Sequence, residues 1–264
     1  MSAFGGPYSR HELEGMGITP DAKDEVCPYC GKTLDLAFYI ANGTVVFSHP
    51  EPCGCEGERK AEEEREAAEL AEKRLKSERA RRSRYLKAGI PKRFLDARVQ
   101  LPQSAAYLSG FAEAHGHGLY IHGKSGRGKT YAASALAKEF VDAGYSVTFT
   151  TAGRMLEAVK STFDGNGSTA DELARYTTCD MLILDDLGKE NTREWSVNTI
   201  FMVMNERYEA MLPTIITSNF SPVEISGKLG RRGEREAAEA IASRIAETCT
   251  AVYLAGPDRR TGKM

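Results

Sequence analysis

The chain has 264 residues, enough for one large domain or a medium domain with a small accessory one. Hydrophobic residues make up 41% of it and charged residues 27%, as in an ordinary globular protein, and no apolar run is long enough to cross a bilayer. Residues 1–10 lack a signal-peptide pattern, so we expect a cytoplasmic protein with no membrane partner. The net charge of −2 excludes a general cationic field for nucleic acid and leaves only local basic patches.

Composition changes twice along the chain and predicts three segments. Residues 1–56 hold four of the six cysteines and are rich in Pro and Gly, as in a small domain that a metal stabilises. Residues 57–88 are mostly charged helix formers, acidic first and basic later, which predicts a solvated linker helix; a helical arm that touches a partner is the alternative. Pro91 ends that helix, and residues 89–264 form the third segment.

Two close pairs of cysteines lie in the first segment. Cys27 and Cys30 flank a tight turn, and Cys53 and Cys55 follow further along the chain. Because a reducing cytoplasm disfavours disulfides, four thiolates at this spacing predict a tetrahedral Zn²⁺ site. His49 is an alternative fourth ligand. Iron–sulfur ligation would use the same residue types, and free thiols are the non-metal alternative.

In the third segment, short apolar runs alternate with amphipathic helices. The predicted strands are residues 119–122, 147–150, 181–184, 214–217 and 252–254, and the predicted helices are 130–143, 153–163, 195–211 and 235–247. This alternation predicts an α/β fold with a mostly parallel sheet covered by helices on both faces. In the first segment, residues 34–40 and 44–47 are predicted to form a hairpin around Asn42-Gly43.

A complete phosphate-binding motif, G-x-x-x-x-G-K-[ST], follows the first strand of the third segment and opens its first helix. Its residues are Gly123, Lys124, Ser125, Gly126, Arg127, Gly128, Lys129 and Thr130. The glycines let backbone N–H groups surround a phosphate at a helix N-terminus. We expect Lys129 to reach the β- and γ-phosphates and the Thr130 hydroxyl to ligate Mg²⁺. The motif by itself predicts binding of ATP or GTP.

The second half of such a site is an acid at the end of a buried strand. Asp185 and Asp186 directly follow the apolar run 181–184, and α/β sheets bind ligands at the carboxyl ends of their strands. We expect Asp185 to hold the Mg²⁺ shell and Asp186 to orient or deprotonate the attacking water; a strand-to-loop cap is the alternative. A strand intervenes between the phosphate loop and Asp185, which favours P-loop ATPases with an extra central strand over nucleotide kinases and GTPases.

Later polar residues add candidates for catalysis. Asn219 follows the strand 214–217 and is a candidate for positioning the lytic water. Arg244 lies on an amphipathic helix and is a candidate to sense the γ-phosphate or to reach a neighbouring copy. A second basic cluster precedes that helix and consists of Arg231, Arg232 and Arg235. For each arginine the alternative is an ordinary surface residue.

Residues 89–263 resemble the DnaC/DnaI family of bacterial and phage helicase loaders, which are AAA+ ATPases. Besides the phosphate loop, the resemblance rests on residues 88–94, 184–188, 212–219, 243–247 and 256–260. It implies an AAA+ core without a full helical lid, and ATP-controlled binding to single-stranded DNA. It also implies delivery of a hexameric replicative helicase, gripped by an N-terminal region that often carries zinc. Self-assembly in the ATP-bound state is expected.

Two departures from the family pattern concern catalysis. Asp186 stands where many AAA+ proteins have Glu, and Ala240 stands where an arginine is expected one helical turn before Arg244. The trans-acting arginine finger is therefore not identified, and weak hydrolysis without a partner is compatible with that gap.

The leading hypothesis from the sequence is an ATP-dependent helicase loader acting in DNA replication. The alternatives are an IstB-like transposition ATPase, which shares the ATPase core, and a zinc-dependent adaptor whose nucleotide is structural. We expect the cysteine module to contact protein rather than DNA. The candidate DNA patches are Arg79, Arg81, Arg82, Arg84 and Lys87 with Lys92 and Arg93, or residues 228–235.

Overall fold

The computed structural model describes residues 7–23, 25–41, 44–111, 116–165, 167–189, 193–232 and 234–259. The chain forms two compact units, Met1–Glu78 and Arg79–Met264. Within the described ranges, no helix combines the length and the apolar character needed to span a membrane.

The first unit is built on a small hairpin and one short helix. Its elements are α1 (Arg10–Gly15), β1 (Leu36–Ala41) and β2 (Thr44–Pro50). The strands pair antiparallel, as the sequence predicts, although the expected turn at Asn42-Gly43 lies outside the described residues. Ser9 is the N-cap of helix α1, and Ser9 and Glu12 form a reciprocal capping box. Among the described residues of this unit, Leu13, Leu36 and Phe38 form a buried apolar cluster.

A 32-residue helix, α2 (Glu56–Lys87), follows the hairpin, and the division between the units falls inside it. Tyr85 is its one buried residue. The Tyr85 hydroxyl donates to Asp142 Oδ2 at 2.5 Å, and Arg81 Nη2 donates to the same oxygen at 2.6 Å. Arg84 also pairs with Asp142, at 3.5 Å. Acidic neighbours therefore offset part of the first candidate DNA patch.

The second unit is the predicted α/β domain. Its elements are α3 (Pro102–Ser109), β3 (Gly118–His122), α4 (Lys129–Asp142), β4 (Val147–Thr151), α5 (Ala152–Ser161), α6 (Thr169–Thr177), β5 (Met181–Leu187), α7 (Glu194–Glu209), β6 (Thr214–Ser218), α8 (Pro222–Leu229), α9 (Arg235–Thr248) and β7 (Cys249–Tyr253). The five strands form one parallel sheet in the order β4-β5-β6-β3-β7. Strand β6 thus lies between β3, which precedes the phosphate loop, and β5, which contains Asp185.

Side chains of successive strand residues point to opposite faces of this sheet and fill two cores. Leu182, Leu184 and Ile216 belong to one core, together with residues of α5, α7 and α9. Ile183 and Ile215 belong to the other, which α4 covers together with Tyr85 and Ile90. The prediction of a parallel sheet covered on both faces is therefore confirmed.

The sequence places most elements correctly and misses several short ones. The predicted strands 119–122, 147–150, 181–184 and 214–217 fall inside β3, β4, β5 and β6. The last strand was predicted three residues too late, because β7 exposes Thr250 and Ala251 between buried Cys249 and Val252 and so lacks a continuous apolar run. Helices α1, α3, α6 and α8 were not predicted.

Candidate functional site

The phosphate loop joins β3 to α4 and depends on glycines with left-handed backbone angles. Gly126 has φ 78°, and Gly128, the N-cap of α4, has φ 90°. An added Cβ at Gly123 would lie 2.5 Å from the carbonyl oxygen of Leu254, so only glycine fits there. Because the N-cap residue has no side chain, the first-turn N–H groups of α4 gain no side-chain cap from it. A helix N-terminus in this state favours an anion.

Lys129 is buried and bonded to the loop that precedes it. Its Nζ donates to the carbonyl oxygen of Gly123 at 2.8 Å and to that of Lys124 at 3.2 Å. It also donates to Asn219 Oδ1 at 2.7 Å. The structure thus brings together two residues that lie 90 positions apart in the sequence. The Asn219 amide orients the lysine cation that was expected to meet the phosphates.

Asp185 stands beside the hydroxyl of Thr130 at the carboxyl end of β5. Thr130 Oγ1 lies 3.1 Å from both carboxylate oxygens, and Thr217 Oγ1 donates to Asp185 Oδ1 at 2.6 Å. Asp185 is only 4% exposed. Burial raises the pKa of this carboxyl, and the hydrogen bond from Thr217 opposes that shift. A hydroxyl and a carboxylate in contact are hard oxygen donors of the kind that Mg²⁺ takes, so these two residues fit that ion.

Asp186 follows in a distorted part of the same strand. Leu184 pairs with Ile216 and Leu187 pairs with Ser218, so two residues of β5 face one residue of β6 in a β-bulge. Asp186 has φ 59°, which is uncommon for a residue other than glycine. Its carboxylate pairs with Lys189 Nζ at 2.7 Å. The bulge therefore gives Asp186 a backbone conformation different from that of a regular strand residue.

A cavity of about 690 Å³ lies over the phosphate loop, within the range of ligand pockets. Its lining includes the loop residues Gly126, Gly128, Lys129 and Thr130, then Asp186 and Lys189, and on the remaining sides Arg93, Phe94, Asp96, Ala97, Gln100, Tyr131 and Arg259. The rings of Phe94 and Tyr131 meet edge to face at 6.2 Å. The backbone N–H of Arg259 donates to the carbonyl oxygen of Gly126 at 2.9 Å. Phe94, Tyr131 and Arg259 were not predicted as site residues, although residues 88–94 and 256–260 carry the family resemblance.

Arg244 lies outside the cavity over the phosphate loop. Its guanidinium sits 3.8 Å from the centroid of the Tyr208 ring, and Nη2 donates to Asn205 Oδ1 at 3.3 Å. Both partners belong to α7, and Arg244 is not among the residues that line the cavity. Of the second arginine cluster, Arg231 is exposed, and the side chain of Arg232 lies outside what the structure describes.

The four clustered cysteines of the first unit meet at one point. All four sulfur atoms lie within 4.8 Å of one another. Individual Sγ–Sγ distances are 3.8 Å for Cys27–Cys55, 3.7 Å for Cys30–Cys53 and 3.2 Å for Cys27–Cys53. Zn–S bonds of about 2.3 Å in a tetrahedron place the sulfur atoms about 3.8 Å apart, so this group fits a zinc ion.

Backbone N–H groups around the cysteine group favour thiolates, whereas burial and the hydrogen bonds among the thiols themselves raise the pKa values of Cys30 and Cys53. The backbone N–H of Glu58 donates to Cys55 Sγ at 3.4 Å, and that of Cys55 donates to Cys53 Sγ at 3.5 Å. Such donors stabilise negative charge on sulfur. Burial opposes ionisation of Cys27, but hydrogen bonds from backbone N–H groups and from Cys53 bring its pKa down to about 7. The side chain of the alternative ligand His49 lies outside the described part of the chain.

The phosphate loop after β3, the two acids near the carboxyl end of β5 and the polar residue after β6 define a P-loop ATP-binding domain of AAA+ type. The chain belongs to the family of IstB-like ATP binding proteins, whose profile matches residues 102–263. The resemblance found in the sequence is thus confirmed at the level of this domain.

Several individual proteins that are similar to this domain are helicase loaders. The chain is similar to the replicative helicase loader DnaI of Bacillus subtilis (strain 168), with 33% identity over 151 residues, covering 56% of this chain and 47% of DnaI. It is 28% identical over 111 residues to the replicative helicase loader DnaC of Escherichia coli (strain K12), covering 42% and 45%. The crystal structure of the DnaC helicase loader superimposes with a TM-score of 0.54 at 25% identity, covering 62% of this chain and 100% of that one. The matches span about half the length of the two curated relatives.

Proposed function

We propose that this protein is an ATP-dependent loader that delivers a hexameric replicative helicase onto single-stranded DNA in the cytoplasm. ATP binding and hydrolysis would control delivery and release during DNA replication. The observation that carries the proposal is the similarity of the ATP-binding domain to the loader DnaI, at 33% identity over 151 residues. The four-cysteine group in the first unit supports it, because the resemblance implies an N-terminal region that grips the helicase and often carries zinc.

The site supports an ATPase reaction. The N-terminus of α4 and Lys129 would hold the phosphates, and Thr130 and Asp185 would hold Mg²⁺, which supplies charge neutralisation on the phosphate oxygens. Asp186 lines the cavity and carries a carboxylate that can accept a proton from water. Asn219 would keep the Lys129 ammonium group in place through the 2.7 Å hydrogen bond. We expect turnover to be weak until the partner is bound.

Docking of the helicase is assigned to the first unit, where Met16, Val26, Tyr29 and Val46 expose apolar side chains. Deleting residues 1–78 is expected to abolish co-purification with a hexameric replicative helicase and to leave ATP binding intact. The deletion should end at Glu78, since Tyr85 belongs to the core of the second unit. The control is the full chain with Arg244→Ala, which leaves the first unit unchanged. Helicase binding that survives the deletion would move the docking site into the ATP-binding domain.

Contact with single-stranded DNA is assigned to an aromatic pair. Phe163 is 62% exposed, and its ring meets that of Trp195 edge to face at 6.1 Å. Lys160 lies exposed one helical turn before Phe163. An exposed ring beside basic side chains can stack on a base and hold the backbone. The candidate DNA patches predicted from the sequence contain no aromatic residue on which a base could stack. Phe163 and Trp195 provide such residues at a different place on the second unit.

Phe163→Ala is expected to weaken binding of an oligo-dT strand by about 5- to 150-fold, because stacking contributes about 1–3 kcal/mol per base. The chain has one tryptophan, so quenching of Trp195 fluorescence reports the binding directly. Tyr253→Ala, at the same 62% exposure, is the matched control and should bind as the wild type does. Equal affinity of the Phe163→Ala variant and the wild type would rule out this assignment.

A second candidate function is an ATPase that serves transposition. It is favoured by the family profile, which is described as IstB-like and matches residues 102–263. The two functions differ in the protein partner. A transposase captured in place of a helicase, in the same co-purification with the full chain, would select this alternative.

A further inference from the structure

Thr217 contacts both acids of the candidate ATPase site. It lies on β6 and is fully buried. Its Oγ1 donates to Asp185 Oδ1 at 2.6 Å and accepts the backbone N–H of Asp186 at 2.9 Å. A hydroxyl has one proton, a carboxylate accepts, and a backbone N–H donates, so the direction of both bonds is fixed. The Thr217 side chain therefore orients the carboxylate of Asp185 and holds the backbone of Asp186.

The β-bulge explains why this contact exists. Asp185 and Asp186 together face Thr217, so β5 has one residue more than the regular ladder with β6 can pair. At the bulge, the Asp186 N–H donates to the Thr217 hydroxyl. Asp186 also holds φ 59°, a conformation that persists only when its surroundings enforce it. The bond from Thr217 is one such constraint.

The Thr217 hydroxyl also affects the geometry of Thr130 and Asp185, the two residues that fit Mg²⁺. Thr130 Oγ1 lies at equal distances of 3.1 Å from both oxygens of Asp185. Rotation of the carboxylate about its Cβ–Cγ bond would change these two distances unequally. Thr217 holds Oδ1 at 2.6 Å and so opposes that rotation.

We infer that Thr217 is a positioning residue for ATP hydrolysis, which acts through Asp185 on the metal and through Asp186 on the attacking water. This inference rests on the proposed ATPase function and names a determinant of its rate. The Thr217 side chain is buried, and its two hydrogen bonds go to Asp185 and Asp186 rather than to the phosphate loop. Removal of the hydroxyl at constant volume is therefore the direct test.

Thr217→Val is expected to lower kcat for ATP hydrolysis by about 10- to 100-fold, as small displacements of reacting groups do. It should also raise the Mg²⁺ concentration needed for half-maximal rate, while the affinity for ATP measured without Mg²⁺ stays unchanged. Thr217→Ser keeps the hydroxyl and is expected to restore both quantities. The rates are measured by steady-state phosphate release, on the full chain with helicase and single-stranded DNA present.

Ser218→Ala is the matched control. Ser218 is the next residue on β6 and is equally buried. Its Oγ donates to the carbonyl oxygen of Leu187 at 2.7 Å and accepts the backbone N–H of Phe220 at 3.1 Å, and neither bond involves an acid. Both variants lose a buried hydroxyl bonded to β5, so both should lower the melting temperature. Only Thr217→Val should change kcat and the Mg²⁺ requirement. Loss of activity in equal measure in both variants would reduce Thr217 to a structural role and overturn the inference.

The remaining outcomes separate this inference from the proposed function. Hydrolysis by the wild type, together with wild-type kcat and Mg²⁺ requirement in Thr217→Val, would overturn the inference and leave the ATPase function standing. Absence of hydrolysis in the wild type, even with both partners, would overturn the proposed function. The action of Thr217 on the metal through Asp185 is then decided by binding of a fluorescent ATP analogue, for which Thr217→Val should need more Mg²⁺; an unchanged requirement would contradict it. If Thr217→Val does not fold, Thr217→Ala is compared with Thr217→Ser in the same assays.

Discussion

Replacing Asp186 by asparagine is expected to lower the rate of ATP hydrolysis by about 100- to 10,000-fold, the contribution typical of a general base. Asparagine has nearly the same shape and is among the residues that tolerate a left-handed backbone, so the φ of 59° at this position can be kept. The change therefore removes the proton-accepting carboxylate and the ion pair with Lys189 while preserving the bulge. ATP should still bind, because Lys129, Thr130 and Asp185 are unchanged.

The measurement combines steady-state phosphate release with binding of a fluorescent ATP analogue, in the presence of helicase and single-stranded DNA. Lys129→Ala is the comparison that should lose binding and turnover together, since it removes the cation of the phosphate site. Asp180→Asn is the matched control: Asp180 directly precedes β5, at the opposite end from Asp186, and bonds to Ser146. Turnover at the wild-type rate in Asp186→Asn would remove Asp186 from the reaction.

The parts of this site that are local in sequence could be predicted from it. The phosphate loop is a continuous motif, and Asp185 and Asp186 follow a short apolar run of the length and composition typical of a buried strand. Helix α2 is also local, since its charged helix formers specify a helix without any tertiary partner. In each case the physical signal lies within a few neighbouring residues.

Other parts depend on contacts between distant segments and were not predictable. The bond between Thr217 and the two acids requires that β6 lie beside β5 and that a bulge form there, and neither fact is encoded within one strand. Arg244 was a candidate to sense the γ-phosphate or to reach a neighbouring copy, and its place over the Tyr208 ring depends on how α9 packs against α7. Strand β7 lies at the edge of the sheet and buries only Cys249 and Val252, one in each core, so its first residues lack the continuous apolar run that marks the central strands.

The failure to predict three of the short helices has a related physical reason. Helices α1, α3 and α8 have between six and eight residues each, too short for a hydrophobic period to stand out. Local capping signals were nevertheless present. Ser9 with Glu12 and Ser221 with Glu224 are three residues apart and form capping boxes, and Pro222 opens α8. Those signals are the ones from which α1 and α8 could have been found.

The double substitution Cys27→Ser with Cys30→Ser is expected to remove all bound zinc and to unfold the first unit. The described apolar core of this unit consists of three buried residues, Leu13, Leu36 and Phe38, which is small for a stable domain. Structural zinc contributes about 10–16 kcal/mol in comparable small sites, more than such a core supplies. Elemental analysis should find about one zinc per wild-type chain and none in the variant. Limited proteolysis should then cleave within the first unit.

Cys249→Ser is the control, because Cys249 lies in β7 of the second unit and should leave the zinc content unchanged. His49→Ala should also retain the metal, since four sulfur atoms within 4.8 Å complete a tetrahedral site without it. Iron in place of zinc, with visible absorbance, would select the iron–sulfur alternative. Metal retained in the double variant would refute the site. Because the phosphate loop and both acids lie within Arg79–Met264, ATP binding should survive the double substitution; its loss together with zinc would contradict a metal that stabilises the first unit alone.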